Sequence, residues 1–404
     1  MRRMAAVVLV CCLLLTCVPV RAASQSQFSD LDQIKNRSEV LLLVALGMIS
    51  GHEDGTFRPQ DTLTRAQTAK LLALMCTDEP EGRLGGRFTD VSGGWAAPYI
   101  AYCADRGILS GYEGLFRPND LVTGRELAKM LLVAVGYDSA NYVGADWAEA
   151  VDADAMEAGI YARYPHDPEL AIDRDYACLL IYNAMQSLAV EGYEADGTPV
   201  YVTDELLNPK TYLENRFGVV RYTNVLVANE YVDLQEPGRK LQPGYSRLDG
   251  HTDFAVSTEL SMIGKCVDIY LRDGQVIGEP CLNAAVTTAT FRGKAEMERL
   301  FRNTDYALAY DAAYYYNYTV SNRQTLNQLS DGAEITVLDL DGDRRFEQIL
   351  MTVYTQGTVL NPDTGLVRLA DGKIVMSQPF RRGAAFPVGC SVRCIQIAGI
   401  WYIQ

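Results

Sequence analysis

Two textures divide the chain. Up to about residue 186 the apolar side chains recur at helical spacing. Trp95, Tyr99, Ile100 and Cys103 mark one helix face, and Gly107 stands where a helix-ending glycine is expected. Leu127, Met130, Leu131 and Ala134 mark a second. Gly192, Gly197 and Pro199 then read as a short linker, and beyond them apolar and polar positions alternate. Residues 219–227, 267–271, 285–291, 335–338, 349–354 and 395–403 predict strands, with Asp-Gly turns at Asp273, Asp331, Asp341 and Asp371. Only residues 294–302 in this half read as helix. Two small β barrels or sandwiches are the expected architecture there.

The start of the chain has its own pattern. Arg2 and Arg3 precede an apolar run over residues 4–20, and Val20-Arg21-Ala22 resembles a cleavage site. The run is short for a span of about 20 residues, so a cleaved signal peptide over residues 1–22 is expected. The rivals are an uncleaved membrane anchor and a lipid anchor on Cys17, for which Leu14-Leu15-Thr16 is a weak context. No other segment is expected to span a membrane.

The helical half repeats itself. At an offset of 60 residues, Phe28-Ser-Asp30 matches Phe88-Thr-Asp90, and Gly47 to Gly51 matches Gly107 to Gly111. One residue is then lost: Phe57-Arg-Pro59 matches Phe116-Arg-Pro118, and Leu63-Thr-Arg-Ala-Gln67 matches Val122-Thr-Gly-Arg-Glu126. A degenerate third copy begins near Trp147, with Gly159-Ile160 answering Gly107-Ile108 and Ile172-Asp-Arg174 answering Leu63-Thr-Arg65. This copy shows neither Phe-x-Asp nor Phe-x-Pro. Each copy reads as helix, turn-rich loop, helix, a unit that buries its apolar faces only by packing on its neighbours.

Chemistry concentrates where each second helix begins. Thr64 with Gln67 and Thr123 with Glu126 form capping-box patterns, and Asp173 suits the third start. The arginines fit less well. Arg65, Arg125 and Arg174 fall in the first turn, where the helix dipole is positive and a cation costs roughly 0.3–1 kcal/mol. Two readings stand. Free helix N–H groups beside a guanidinium would suit a carboxylate or phosphate ligand, or each arginine pairs with an acid of a neighbouring copy.

The order Phe-x-Asp, Trp, Gly-Ile/Leu-x-Gly, Phe-x-Pro and Thr64-Arg65-Ala66-Gln67 resembles the S-layer homology domain of bacterial surface proteins. The resemblance covers residues 28 to about 188. It implies an all-α three-repeat pseudo-trimer, its inter-repeat grooves binding acidic secondary cell-wall polysaccharide through the signature arginine. Carried onto this sequence, the ligand residues are Arg65 first, Arg174 second and Arg125 third. Thr64, Gln67 and Glu126 stand beside them, and Trp95 and Trp147 supply an aromatic wall. Gly124 holds the signature position in the second copy, which leaves Arg125 about 100° further round the helix. Lys35 stands where the other copies have Trp. One or two competent grooves are therefore expected. Joined to the alternating half, this module gives an expected fold of multidomain α plus β: repeats over residues 28–85, 86–140 and 141–190, then β-rich barrel or sandwich modules over 195–404.

Composition narrows the remaining possibilities. The formal charge of −15 falls to −18 when the three arginines of residues 1–22 are set aside. Nucleic acid is not an expected partner of so acidic a chain with no basic stripe. Seven cysteines follow residue 22, an odd and scattered set that makes a poor disulfide framework. Cys266 and Cys281 lie symmetrically about Asp273-Gly274 and are expected opposite each other on a hydrogen-bonded pair, about 5.5 Å apart, where a bridge would be strained. Asp339, Asp341, Asp343 and Glu347 gather carboxylates as a calcium loop does, but they miss the EF-hand spacing and carry Arg344 and Arg345. An acidic hairpin turn explains them without metal, and no cofactor is expected. The tyrosine-rich stretch 306–318 suits strand packing or sugar stacking. Beyond the repeats His251 is the sole histidine, and no Gly-x-Ser-x-Gly occurs. A non-catalytic display module is the expected role of 195–404, with self-assembly at the surface open. A wall-anchored glycan-active enzyme using paired carboxylates is the alternative.

Overall fold

The computed structural model describes residues 28–82, 87–236, 238–283, 285–330, 332–380 and 384–404. The expected signal peptide and Cys17 lie outside them. Among the described residues no helix is long and apolar enough to cross a membrane.

Three helix pairs build the first half: α1 (Arg37–Ala45) with α2 (Arg65–Cys76), α3 (Ala97–Asp105) with α4 (Gly124–Ala134), and α5 (Trp147–Glu157) with α6 (Arg174–Gln186). Their contacts follow a threefold order that closes on itself. Just before the second helices, Leu63 N donates to Ile172 O (3.1 Å), Ile172 N to Val122 O (2.9 Å) and Val122 N to Leu63 O (3.0 Å). The three side chains are buried together, so the ring is both hydrogen-bonded and dry.

The first N–H groups of each second helix go to the loop of the next copy. Arg65 N and Ala66 N meet Asp120 O and Pro118 O, Gly124 N and Arg125 N meet Leu170 O and Pro168 O, and Arg174 N and Asp175 N meet Asp61 O and Pro59 O. Groups that an isolated helix leaves unpaired are thereby satisfied between copies, which is why no copy is complete alone.

In the first two copies the Phe-x-Asp motif holds these acceptor loops in shape. Asp30 accepts from Phe57 N and Arg58 N (both 2.8 Å), and Asp90 accepts from Phe116 N (2.8 Å) and Arg117 N (2.7 Å). Arg58 and Arg117 sit at φ 56° and 59°, a left-handed conformation unfavourable for a side chain, and each carboxylate clamps that strained turn.

The expected linker is a hairpin of β1 (Val190–Tyr193) and β2 (Pro199–Tyr201), followed by α7 (Tyr212–Phe217). Alternation alone hides α7. A capping box of Thr211 and Glu214 starts it and Gly218 in the left-handed region ends it. Three sheets follow, the third of them a closed barrel as the alternation led one to expect. The first contains β3 (Val219–Ala228), β4 (Ser246–Leu248), β5 (Asp253–Phe254), β6 (Cys266–Arg272) and β7 (Gln275–Leu282), in the order β5-β4-β3-β6-β7.

The second sheet draws on β8 (Thr287–Arg292), β9 (Ala307–Tyr316), β10 (Thr319–Val320), β11 (Glu334–Asp339) and β12 (Arg345–Thr352), with α8 (Lys294–Asn303) and the short α9 (Arg323–Asn327) between them. Its order is β10-β9-β12-β11-β8, and β12 runs parallel to β9. The third sheet closes into a barrel of β13 (Thr355–Asn361), β14 (Leu366–Leu369), β15 (Ile374–Pro379), β16 (Ser391–Ile397) and β17 (Ile400–Ile403). Val359, Val367, Val375, Val392, Cys394 and Ile403 fill it.

Strand β6 joins the two halves. Val267 and Ile269 enter the core between the first sheet and the outer face of the barrel, while Tyr270 enters the helical core and shares a 2.6 Å hydroxyl contact with Tyr182. Behind it Gly278 lies against Leu42 of α1. Gly278 also corrects the cysteine expectation. At φ 67° it accompanies an irregularity in the β6–β7 ladder, after which Asp268, not Cys266, stands opposite Cys281. Cys266 O instead accepts from Asn283 N, and both thiols are free.

Candidate functional site

The three junctions share one backbone frame and differ in their side chains. At the first, Arg65 reaches from α2 onto the loop of the second copy. Its Nε donates to Phe116 O (2.9 Å), Nη2 to Ser110 O (2.7 Å), and the guanidinium lies 4.7 Å from the Phe116 ring centre. Arg174 repeats this on the first copy, with Nε to Phe57 O (3.0 Å), Nη2 to Ser50 O (3.0 Å) and the Phe57 ring at 4.6 Å.

Carbonyl dipoles and aromatic faces therefore offset the cost of a cation at a positive helix end. Among the described residues neither guanidinium forms an ion pair, and each bonds through Nε and Nη2 alone. Burial pushes both groups down from their ordinary value, yet arginine stays charged. Each is a half-buried cation with acids in its surroundings but none within ion-pair distance among the described residues.

Two expectations change here. The helix N–H groups are not an open anion cradle, because the neighbouring loop carbonyls occupy them. Arg125 is not a free ligand either. Its Nε and Nη2 bind Asp152 (3.0 and 2.8 Å) and its Nη1 binds Glu169 (2.7 Å), leaving the side chain 16% exposed. One position back, a side chain at Gly124 would put its Cβ 2.7 Å from Tyr164 Oη. The shift by one residue around α4 thus exchanges a groove cation for an internal ion pair.

With this geometry in hand, the chain can be set beside known proteins. A family model described as the S-layer homology domain matches residues 27–69 and 87–128. The chain carries S-layer homology domains. It is 30% identical to an S-layer protein of Bacillus thuringiensis subsp. finitimus over 122 residues, 30% of this chain and 15% of that protein. It is 35% identical to the surface-layer 125 kDa protein of Lysinibacillus sphaericus over 121 residues, 29% of this chain and 10% of that one. Exoglucanase XynX of Acetivibrio thermocellus is 29% identical over 194 residues, 43% of this chain and 18% of the exoglucanase. The chain spans less than a quarter of the length of each of these relatives. It is a bacterial cell-surface protein, held at the cell wall through its S-layer homology domains.

The other candidates of the S-layer homology module divide between capping and surface. Thr64, Gln67 and Glu126 have their oxygens committed to the helix starts: Gln67 Oε1 accepts from Thr64 N (2.9 Å) and Glu126 Oε2 from Thr123 N (3.0 Å). Trp95 is 59% exposed in the turn before α3, its ring 6.5 Å from Tyr99. Trp147 opens α5 and is partly buried, with the Lys129 ammonium 5.3 Å from its ring centre. The Lys35 ammonium lies 5.5 Å from the Tyr176 ring centre.

Sequence reading missed Phe57 and Phe116 as arginine platforms and the carbonyls of Ser50 and Ser110. It also missed that His166-Asp-Pro168 is the third copy's counterpart of Phe-x-Pro. The signal was the proline: Pro168 O accepts from α4 as Pro118 O does from α2.

In the β half the acidic loop brings Asp339, Asp341, Asp343 and Glu347 within 4.8 Å of one another. Their oxygens serve the turn. Asp339 accepts from Gly342 N and Arg344 N, Asp343 from Arg345 N and Glu347 from Leu340 N. A cavity of about 480 Å³ lies beside Asp233, Tyr245, Arg247 and Asp253. Its two aspartates share one guanidinium, with Arg247 Nη1 on Asp233 (3.3 Å) and Nε on Asp253 (2.7 Å). The tyrosine stretch is split: Tyr318 is buried, Tyr306 stacks on Phe346 at 5.2 Å, and Tyr310 stands fully exposed.

Proposed function

We propose that this protein is tethered non-covalently to acidic secondary cell-wall polysaccharide through two grooves, one at Arg65 and one at Arg174. The observation that carries this reading is the pair of half-buried guanidinium groups with aromatic backing and no carboxylate partner. A sugar carboxylate supplies the missing charge, and a charge-assisted hydrogen bond of this kind contributes about 1.5–3 kcal/mol. The β half is then a non-catalytic displayed module. In support, its candidate carboxylates Asp233 and Asp253 are tied to Arg247 rather than set apart as acid and base.

The test is co-sedimentation of the full chain with purified sacculi. Arg65→Ala with Arg174→Ala should weaken binding at least tenfold, each lost bond being worth roughly that factor. Arg345→Ala, which removes an exposed arginine of the β half far from the junctions, should leave it within about twofold. Retention of full binding by the double variant refutes the assignment.

A further inference from the structure

The junction between the second and third copies keeps the shared backbone frame but has exchanged charge for aromatic surface. Tyr164 fills the space above Gly124, and its ring lies 6.1 Å from that of Tyr161 with 21° between the planes. His166 meets Tyr164 edge-on at 5.7 Å. Asn183 fixes this loop from α6, its amide donating to Ile160 O (2.9 Å) and Ala162 O (2.8 Å), so the tyrosines project from an anchored backbone. Together with Met156 and Pro168 these rings line a cavity of about 410 Å³. That falls within the range of small-ligand sites, about 300–1,000 Å³.

The charge around this space excludes the ligand of the other two grooves. Its one guanidinium, Arg125, is shared by Asp152 and Glu169, so the local balance is negative. An acidic sugar would meet repulsion and find no unpaired cation. A neutral ring meets complementary chemistry. Its C–H face covers the tyrosines, and its hydroxyls donate to Asp152, which lines the cavity, and to Glu169, which shares Arg125 with it. Glu169 is 69% exposed and uses only Oε1 on Arg125, while Asp152 already accepts from Tyr161 Oη at 3.0 Å.

We propose that the junction of Gly124, Tyr161 and Tyr164 is a subsite for an uncharged sugar ring of the wall polymer. This rests on the reading that the arginine grooves take the polymer's acidic groups, and it adds a third contact of different specificity. A third contact beside the two arginine grooves raises the avidity for any polymer chain long enough to reach more than one of them.

The experiment uses the full protein and wall polymer whose carboxyl groups have been reduced to alcohols. Calorimetry should show weak binding of this neutral probe, reduced about tenfold by Tyr161→Ala with Tyr164→Ala. The probe should bind Arg65→Ala with Arg174→Ala within about twofold of the unmodified chain. Because the tyrosines also pack against the repeats, the unmodified protein provides a second readout. Tyrosine ring resonances, assigned through Tyr161→Phe and Tyr164→Phe, should shift when the probe is added. A probe that does not bind, or that shifts neither ring, overturns the subsite. Native polymer that still binds the arginine double variant but requires the tyrosines overturns the acidic-groove reading and upholds this one.

Discussion

The Arg65 junction and the Gly124 junction have the same backbone and opposite chemistry. In both, the first N–H groups of a second helix bond to the carbonyls of a proline loop in the next copy. At one, an arginine at the first helical position lies over Phe116. At the other, glycine takes that position and a tyrosine fills the gap. The frame is therefore insensitive to what the groove presents. Backbone hydrogen bonds and buried aliphatic groups hold the copies together, which leaves the side chain at the first helical position free to differ between junctions.

The largest expected effect breaks what the junctions have in common. Leu63 is buried at the threefold ring, and Leu63→Ala should cost about 2–5 kcal/mol. Urea unfolding should show the helical transition moving as one unit, with all three junctions lost together. A second change separates them by pH. Burial raises the Asp30 and Asp90 carboxyls, but the N–H groups of Phe57 and Arg58, and of Phe116 and Arg117, outweigh it and hold both below their ordinary value.

A carboxyl depressed in the folded state contributes stability above its unfolded value and loses it as pH falls through the folded one. The loops under Arg65 and Arg174 should therefore loosen below about pH 4. The third copy has no Phe-x-Asp, so the Tyr164 junction should not share this sensitivity. Comparing polymer binding and urea midpoints of Asp30→Asn with Asp90→Asn against the unmodified chain at pH 3 and pH 6 checks this. The variant should show the smaller acid effect. The smallest effect is local: Thr123→Ala removes one cap of α4 and should cost about 1 kcal/mol, read as a shift in urea midpoint at unchanged slope.

Legibility followed the range of the interactions. The capping boxes at Thr64 and Thr123 and the Asp173 cap involve residues three apart, and each forms as its spacing predicts. Strands β3, β6 and β11 appear where the alternation places them. The register of β7 was not legible, because one glycine at positive φ moves every later pair and local alternation carries no record of it. The order of strands within the sheets was not legible for a related reason. The parallel pairings of β9 with β12 and β15 with β17 join strands that are distant in sequence.

The sequence by itself determined that three related helix pairs exist, where their second helices start, and that arginines stand at those starts. These follow from spacing and capping within a few residues. Tertiary structure decided what each arginine does. Arg65 and Arg174 meet carbonyls and a phenyl ring, whereas Arg125 meets Asp152 and Glu169, and every one of those partners lies at least 27 positions away. A guanidinium binds whichever oxygen its neighbours hold within about 3 Å, and only the packing of one copy on the next fixes which oxygen that is.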